Sequence, residues 1–452
     1  METTKQMTWR ILRIAFPMAG ARLINMVTTF IGMIMIARLG SDILAASALM
    51  SAAYYTLLVI FMFILFSVGV VVSRHVGAKE YDKISDAVQQ SFILAVLLSI
   101  PLSLLFWYSD RLLLLFGQSP LLVRYVGQFF HPLIWVSLPM LLWTSLSQWM
   151  VAVNKVMNVI WASVVGVGVF LLTAYPLIFG RWGMPALGVA GLSYAMLLQM
   201  LSTLLYGLVC YIVQKDLRHY AIFNFRRVHD WSLLKRLWEV GWPMSIQFGG
   251  ELTGYLAITV CIGWLSTTEL AAWQVVQQVL MMFVVPVFSF AEASAMVVGY
   301  TMGTKVHAQV NKVNYLSIAY AMVFVVAGVL VFTLMPLQLE HIYIKGQGMD
   351  ISGLSSMIST LFYINAFVYF VDSFRNLLSG SLRGLYDTRF AMIVGILVVW
   401  VVSVGLGCLL AFYTPLGVYG FSIAQGVAFL VGAVLVWLRW RWQVKAFHEY
   451  TA

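Results

Sequence analysis

Three acids lie deep inside long apolar runs of this chain: Glu251, Glu292 and Asp372. An ionisable side chain in hydrocarbon is costly, and by default it marks an ion or proton pathway. An apolar cavity disfavours the charged carboxylate, which leaves a group that takes up a proton or binds a metal cation in its place. Gln247, Glu251 and Tyr255 recur at i, i+4 and i+8, on one helix face, beside Gly249, Gly250 and Gly254, which admit a close neighbour. Asn365, Tyr369, Asp372 and Asn376 make a second stripe. Polar stripes on apolar helices look into protein or a cavity, not into lipid. Glu251 and Asp372 are therefore the candidate cation or proton coupling pair, and metal ligands only with a metal cation as the coupling ion. Arg375, three residues after Asp372, offers the structural alternative of neutralising it within one helical turn. Glu292, between Ala291 and Ala293, is a further candidate, and Arg22 has no acid at helical spacing, so it snorkels or reaches another helix.

The elements that position these groups follow from composition. Of 452 residues 62% are hydrophobic and 10% charged, far from the roughly 25% charged of soluble domains. Membrane helices need about 20 apolar residues each, and a β-barrel would alternate instead. Apolar runs between charged or Pro/Gly-marked breaks predict twelve spans, at 13–38, 46–72, 88–108, 126–149, 158–179, 187–213, 239–264, 275–300, 315–336, 355–380, 390–412 and 417–438. An even number puts both termini on one side. With that side cytoplasmic, the inside segments hold 20 Lys and Arg against 5 outside, with Arg22 and Arg375 within spans, as the positive-inside rule requires. The net charge of +10 thus reports orientation and not a nucleic-acid partner. The start, METTKQMTWRILRIAF, lacks a short h-region and cleavage site, so the first span is expected to stay.

The chain repeats itself. FPM at 16–18 pairs with WPM at 242–244, LGSDILAA at 39–46 with LSTTELAA at 265–272, and Gly77 with Gly303, all at an offset of 226. LGVAGLS at 187–193 pairs with LGVYGFS at 416–422 at 229. Six spans per copy give both copies one orientation and a pseudo-twofold along the membrane normal. The expected organisation is an N-terminal lobe over 1–213, a cytoplasmic linker over 214–238 and a C-terminal lobe over 239–452: an all-α integral membrane protein of two six-helix lobes. At offset 226 Glu251 corresponds to Asn25, which places ion coupling in the second lobe.

Enzyme signals are absent: no Walker A, no H-E-x-x-H, no G-x-S-x-G and no glycine-rich dinucleotide loop. No cofactor is implied. Cys210, Cys261 and Cys408 are isolated in apolar stretches and read as small core hydrophobes, and His131 as a packing residue within a span. The 24 Met and 66 aromatics suit a cavity for flat, greasy cations through cation–π contacts and adaptable packing, although most of them must face lipid or core.

LFSVGVVVSRHVGAKEYDKI at 65–84, the repeat-related VVGYTMGTKVHAQV at 297–310, LRGLYDT at 382–388 and the LGVAG/LGVYG pair resemble the multidrug and toxic compound extrusion (MATE) family over nearly the whole chain. The resemblance implies a secondary antiporter of the bacterial inner membrane. Such a protein exports cationic and amphipathic drugs in exchange for sodium or protons and works as a monomer. It places the acids of the family's NorM-like branch on Glu251 and Asp372, and a nearby tyrosine loosely on Tyr369. Tyr255, Gln247, Asn365, Asn376, Arg375, Glu292 and Asn25 are the supporting or substrate-binding candidates. One departure is clear: many members carry a first-span aspartate where this chain has Gly32. Two other functions stay open, a flippase for a lipid-linked substrate and an integral-membrane lipid-modifying enzyme.

Overall fold

A computed structural model describes residues 3–449 apart from 116, 118, 225–230, 337 and 339–350. Arg226, Arg227 and Lys345, three of the charges in the orientation count, lie outside the described residues. Among those described, the chain is all helix and turn: α1 (Thr4–Ala37), α2 (Ser41–Leu65), α3 (Ser67–Ala78), α4 (Tyr81–Trp107), α5 (Ser109–Leu115), α6 (Pro120–Ala152), α7 (Val156–Phe179), α8 (Val189–Val213), α9 (Lys215–Arg218), α10 (Ser232–Leu265), α11 (Thr267–Gly303), α12 (Val310–Leu334), α13 (Ile351–Gly384), α14 (Thr388–Leu397), α15 (Gly407–Tyr413) and α16 (Val418–Glu449). Among the described residues twelve candidate spans emerge by length and hydropathy, one for each expected. Most run longer than the apolar window. The backbone ladder continues through polar residues once the chain has left hydrocarbon, so charge marks the edge of a window and not the end of a helix. The fourth span shows the mechanism: α6 begins six residues before the expected 126, at a Ser119 cap whose Oγ accepts from the Leu122 amide, with Pro120 at the first helical position.

The eleventh span is not a uniform helix. Between α14 and α15 the nine residues Val398–Leu406 form a π-helix, a wide form that is rare at such length and frequent at functional sites. Trp400, inside it, donates its indole N–H to the Gly250 carbonyl of α10 at 2.9 Å.

By packing, the chain forms two compact units, Gly20–Ser245 and Met1–Ala19 with Ile246–Ala452. This division differs from the linear one. Residues 1–19 group with the second half, and 214–245 with the first, because the chain changes unit within α1 and within α10 and not at the start of the expected linker. Both changes come two residues after a proline inside the helix, Pro17 and Pro243, where the ladder loses a hydrogen bond. Ala19 and Ser245 are themselves 226 residues apart, the offset of the repeat. The expected linker is also docked over its described part: Leu217 and Ile222 are fully buried, and the Ala221 carbonyl accepts from Ser85 Oγ and Gln89 Nε2, each at 3.3 Å.

Backbone conformation carries the repeat as well. Lys79 and Lys305, at offset 226, are both left-handed, with φ of 58° and 60°, although neither is glycine and such angles are uncommon for other residues. Gly188 and Gly417 at offset 229 share φ of 55° and 52°.

Candidate coupling site

The unit containing Ile246–Ala452 brings the two acid stripes together. α10 carries Gln247 and Glu251, and α13 carries Asp372, Arg375 and Asn376. Arg375 is 1% exposed and sits between the acids. Its Nη1 and Nη2 donate to Glu251 Oε1 and Oε2 at 2.9 and 3.1 Å. Its Nε and Nη2 donate to Asp372 Oδ1 at 3.0 and 2.8 Å. This is the forked geometry that makes arginine the strong partner for carboxylates. Gln247 Nε2 donates to Glu251 Oε1 at 3.0 Å, and Asn376 Nδ2 to Asp372 Oδ2 at 3.0 Å. Every carboxylate oxygen thus has a nitrogen donor. The amide oxygens of Gln247 and Asn376 are buried and accept no hydrogen bond.

Glycines make room for the cluster. A Cβ on Gly395 of α14 would stand 2.5 Å from Glu251 Oε1, and one on Gly432 of α16 2.9 Å from Arg375 Cδ. The Arg375 guanidinium lies 5.0 Å from the Phe429 ring centroid. α13 is fixed against α11 at backbone range, since Gly380 and Gly384 lie over the carbonyls of Ala291 and Ala295; these are glycines in the small-xxx-small spacing of membrane helix pairs. Ser381 Oγ, between them, pairs with Ser294 Oγ at 2.7 Å and donates to Asn314 Oδ1 of α12 at 2.5 Å.

Tyr255, one turn beyond Glu251, is half-buried and lies within electrostatic reach of Glu251, Asp372 and Arg375. The other candidates fall elsewhere. Asn365 donates to Ser422 Oγ at 3.1 Å and to the Leu361 carbonyl at 2.9 Å, and the Tyr369 hydroxyl donates to the Phe283 carbonyl at 3.0 Å. Both are helix-to-helix ties, with no hydrogen bond to the acids. Glu292 is buried on α11 and faces the charge of Arg383. Asn25 belongs to the other unit, where its amide donates to Ser163 Oγ at 3.2 Å. His131 is exposed, 4.0 Å from Asp110, and the Arg22 guanidinium lies 6.0 Å from the Phe66 ring centroid.

Three features escaped the sequence reading. Sequence spacing pairs Arg375 with Asp372 alone, and its reach to Glu251 crosses 124 residues. Arg383, in the LRGLYDT motif, is 5% exposed, lies 4.7 Å from the Phe248 ring centroid, and has an Nε and an Nη2 that donate to nothing. Cys261 and Cys408, expected to be isolated, bring their sulfurs to 3.7 Å, because spans seven and eleven pack together. The signal available for Arg375 was an arginine inside an apolar run, and for Arg383 its place in the LRGLYDT motif; no signal announced the thiol contact.

Unit Gly20–Ser245 holds a pocket lined by Thr28, Gly32, Met33, Met50, Tyr54 and Phe170 among others, none of them charged. Gly32 leaves it open: a Cβ there would stand 3.2 Å from Leu192 and 3.6 Å from Phe170.

A twelve-span, all-α chain built from two copies of one six-span unit, with a buried charge cluster in one unit, is the architecture of a membrane transporter. The MatE family model matches twice, over 17–176 and 243–409, and the two matches begin 226 residues apart at Pro17 and Pro243. The chain belongs to this family. It is 29% identical over 443 residues to the multidrug resistance protein NorM of Burkholderia vietnamiensis, covering 96% of this chain and 93% of that one. It is 28% identical over 439 residues to a probable multidrug resistance protein NorM of a Synechocystis strain, covering 96% and 93%. In fold it is similar to the outward-facing structure of a MATE transporter of the MOP superfamily, with a TM-score of 0.89 at 18% identity over 98% of this chain and 96% of the other. It is equally similar to a MATE structure in the bent conformation, at 0.89 and 18% over 99% of each chain.

Proposed function

We propose that this protein is a secondary multidrug exporter of the bacterial inner membrane. It acts as a monomer with both termini cytoplasmic and exchanges cationic or amphipathic organic compounds for protons or sodium, with Glu251 and Asp372 as the coupling pair. The observation that carries the reading is the buried cluster itself: two carboxylates share one guanidinium, so a negative charge remains for a mobile cation to answer. Membership of the family and the names of the relatives support the substrate class. The uncharged methionine- and aromatic-lined pocket around Gly32 and Tyr54 supports it too, since soft, polarizable walls accept flat apolar bodies of many shapes. Exchange requires that the coupling cation and the substrate favour different states of the protein, because equal affinity for both states shifts nothing.

The test is efflux of ethidium, a fluorescent organic cation, from everted vesicles with the proton and sodium gradients collapsed one at a time, and Glu251→Gln and Asp372→Asn run alongside. Transport that stops with one gradient, and in both variants, supports the reading. Normal export by both variants would overturn the assignment of the pair.

A second reading draws on Arg383. Two unanswered N–H donors on a buried guanidinium suit an anionic headgroup, as a flippase for a lipid-linked substrate requires. It gains if ethidium is not moved and labelled anionic lipid is. A chemical change in lipid during the same incubation would point instead to a lipid-modifying enzyme.

A further inference from the structure

Arg375 is a cation that never leaves. Its guanidinium takes both oxygens of Glu251 and one of Asp372, so one of the two carboxylate charges is permanently answered from within the chain. The other is not. Around the pair, Gln247 and Asn376 contribute amide N–H groups but no charge, and Tyr255 is neutral as a phenol. Arg383 lies near enough for its charge to act on Glu251, but it donates no hydrogen bond to either acid and faces Glu292 as well. Two pieces of local chemistry point to a ligand on the pair. One is the uncompensated charge, which is expensive at such burial. The other is the two buried amide oxygens, Gln247 Oε1 and Asn376 Oδ1, which accept nothing. Both call for a single positive group, and neither leaves room for a double charge beside a fixed guanidinium, where like charges repel strongly in a poor dielectric.

We infer that Arg375 sets the coupling stoichiometry at one: the pair takes up one monovalent positive charge per transport cycle, whether a proton or an alkali cation. This rests on the antiport reading above and deepens it. Export of a monocation is then electroneutral, one charge out for one charge in, and is blind to the membrane potential. Export of a neutral compound moves one charge inward and is driven by the potential. Were both acids free, two charges would enter for each substrate.

The experiment uses the full chain in proteoliposomes with ethidium as the monocationic probe. A proton gradient or a sodium gradient is imposed singly, and the potential is clamped at zero or at 100 mV with potassium and valinomycin; protein-free liposomes give the baseline. Each uncompensated charge multiplies the steady-state accumulation ratio about 50-fold per 100 mV. The unmodified protein is expected to show the same ratio at both potentials and a tenfold ratio for a tenfold gradient, and the gradient that supports it names the ion. Arg375→Gln is expected to approach a hundredfold ratio for that gradient and to become potential-dependent, whereas Arg375→Lys keeps the tenfold, potential-independent ratio. A potential-dependent ratio in the unmodified protein, or an Arg375→Gln variant that transports with the same tenfold, potential-independent ratio, overturns the count while leaving the antiporter reading intact. Absence of ethidium transport under either gradient overturns both.

Discussion

Arg375 and Glu251 are joined by two parallel hydrogen bonds of 2.9 and 3.1 Å between α13 and α10. The link is buried at both ends, with side chains 1% and 7% exposed. Arg375 is the common partner of both acids, so the three residues do not contribute equally. Breaking a buried ion pair by removing one partner costs about 3–5 kcal/mol when a charge is left uncompensated. Arg375→Gln leaves two carboxylates facing each other, whereas Glu251→Gln leaves the Arg375–Asp372 pair intact. Thermal unfolding in detergent should therefore fall much further for Arg375→Gln than for Glu251→Gln, and the double variant should lie above Arg375→Gln alone. Equal losses for the two single variants would show that the fork is not shared.

The contact of α13 with α11 predicts a sharp contrast between glycines. At Gly384 a Cβ would stand 2.6 Å from the Ala295 carbonyl oxygen, and at Gly380 the Ala291 carbonyl oxygen is nearer still. Gly380→Ala or Gly384→Ala must push the helices apart, with an overpacking cost of about 1–3 kcal/mol. Gly168→Ala on α7 meets nothing within 4 Å and should be neutral, or stabilising by up to about 1 kcal/mol from helix propensity. Yield of monodisperse protein and melting temperature check both; a harmless Gly380→Ala would refute the backbone contact.

Trp400 anchors the π-helical stretch to Gly250. Trp400→Phe removes one hydrogen bond and leaves most of the ring packing, so a stability loss of about 1 kcal/mol is expected, with faster amide exchange confined to Val398–Leu406 and its neighbours. Unchanged exchange across that stretch would mean the indole bond does not hold it.

The approach of Cys261 to Cys408 predicts selective cross-linking. Mild oxidation should join these two and leave Cys210, which belongs to the other unit, as a free thiol. Peptide mapping decides the matter; a bridge that includes Cys210 would contradict the packing of α10 on α15.

Much of this molecule was legible in its residues, for a definite reason. A membrane helix declares itself because hydrocarbon tolerates no unmet backbone group and few charges. The twelve runs, the 226-residue repeat and the acid-bearing faces of α10 and α13 all follow from patterns along one helix or between equal segments. Pairings that depend on how one helix is rotated against another left no such trace. Asp372 and Arg375 are three residues apart and could be paired by eye; Arg375 and Glu251 could not. Gly395 and Gly432 resemble any other membrane glycine until the side chains opposite them are known. Asn365 and Tyr369 shared the right helix with Asp372, yet their polar atoms are spent on Ser422 and the Phe283 carbonyl.

The changes of unit after Ala19 and Ser245 carry a consequence for biogenesis. Residues 1–19 leave the ribosome before residues 246–452, yet they belong to one unit with them. They must wait until the whole of Gly20–Ser245 has been made before their partners exist. The unit that starts at Gly20 is not complete until Ser245 has emerged, well past its sixth span. A nascent chain halted before Ser232 would thus hold one unit without its last helical segment and an N-terminal segment without its unit, an intermediate with apolar faces still uncovered.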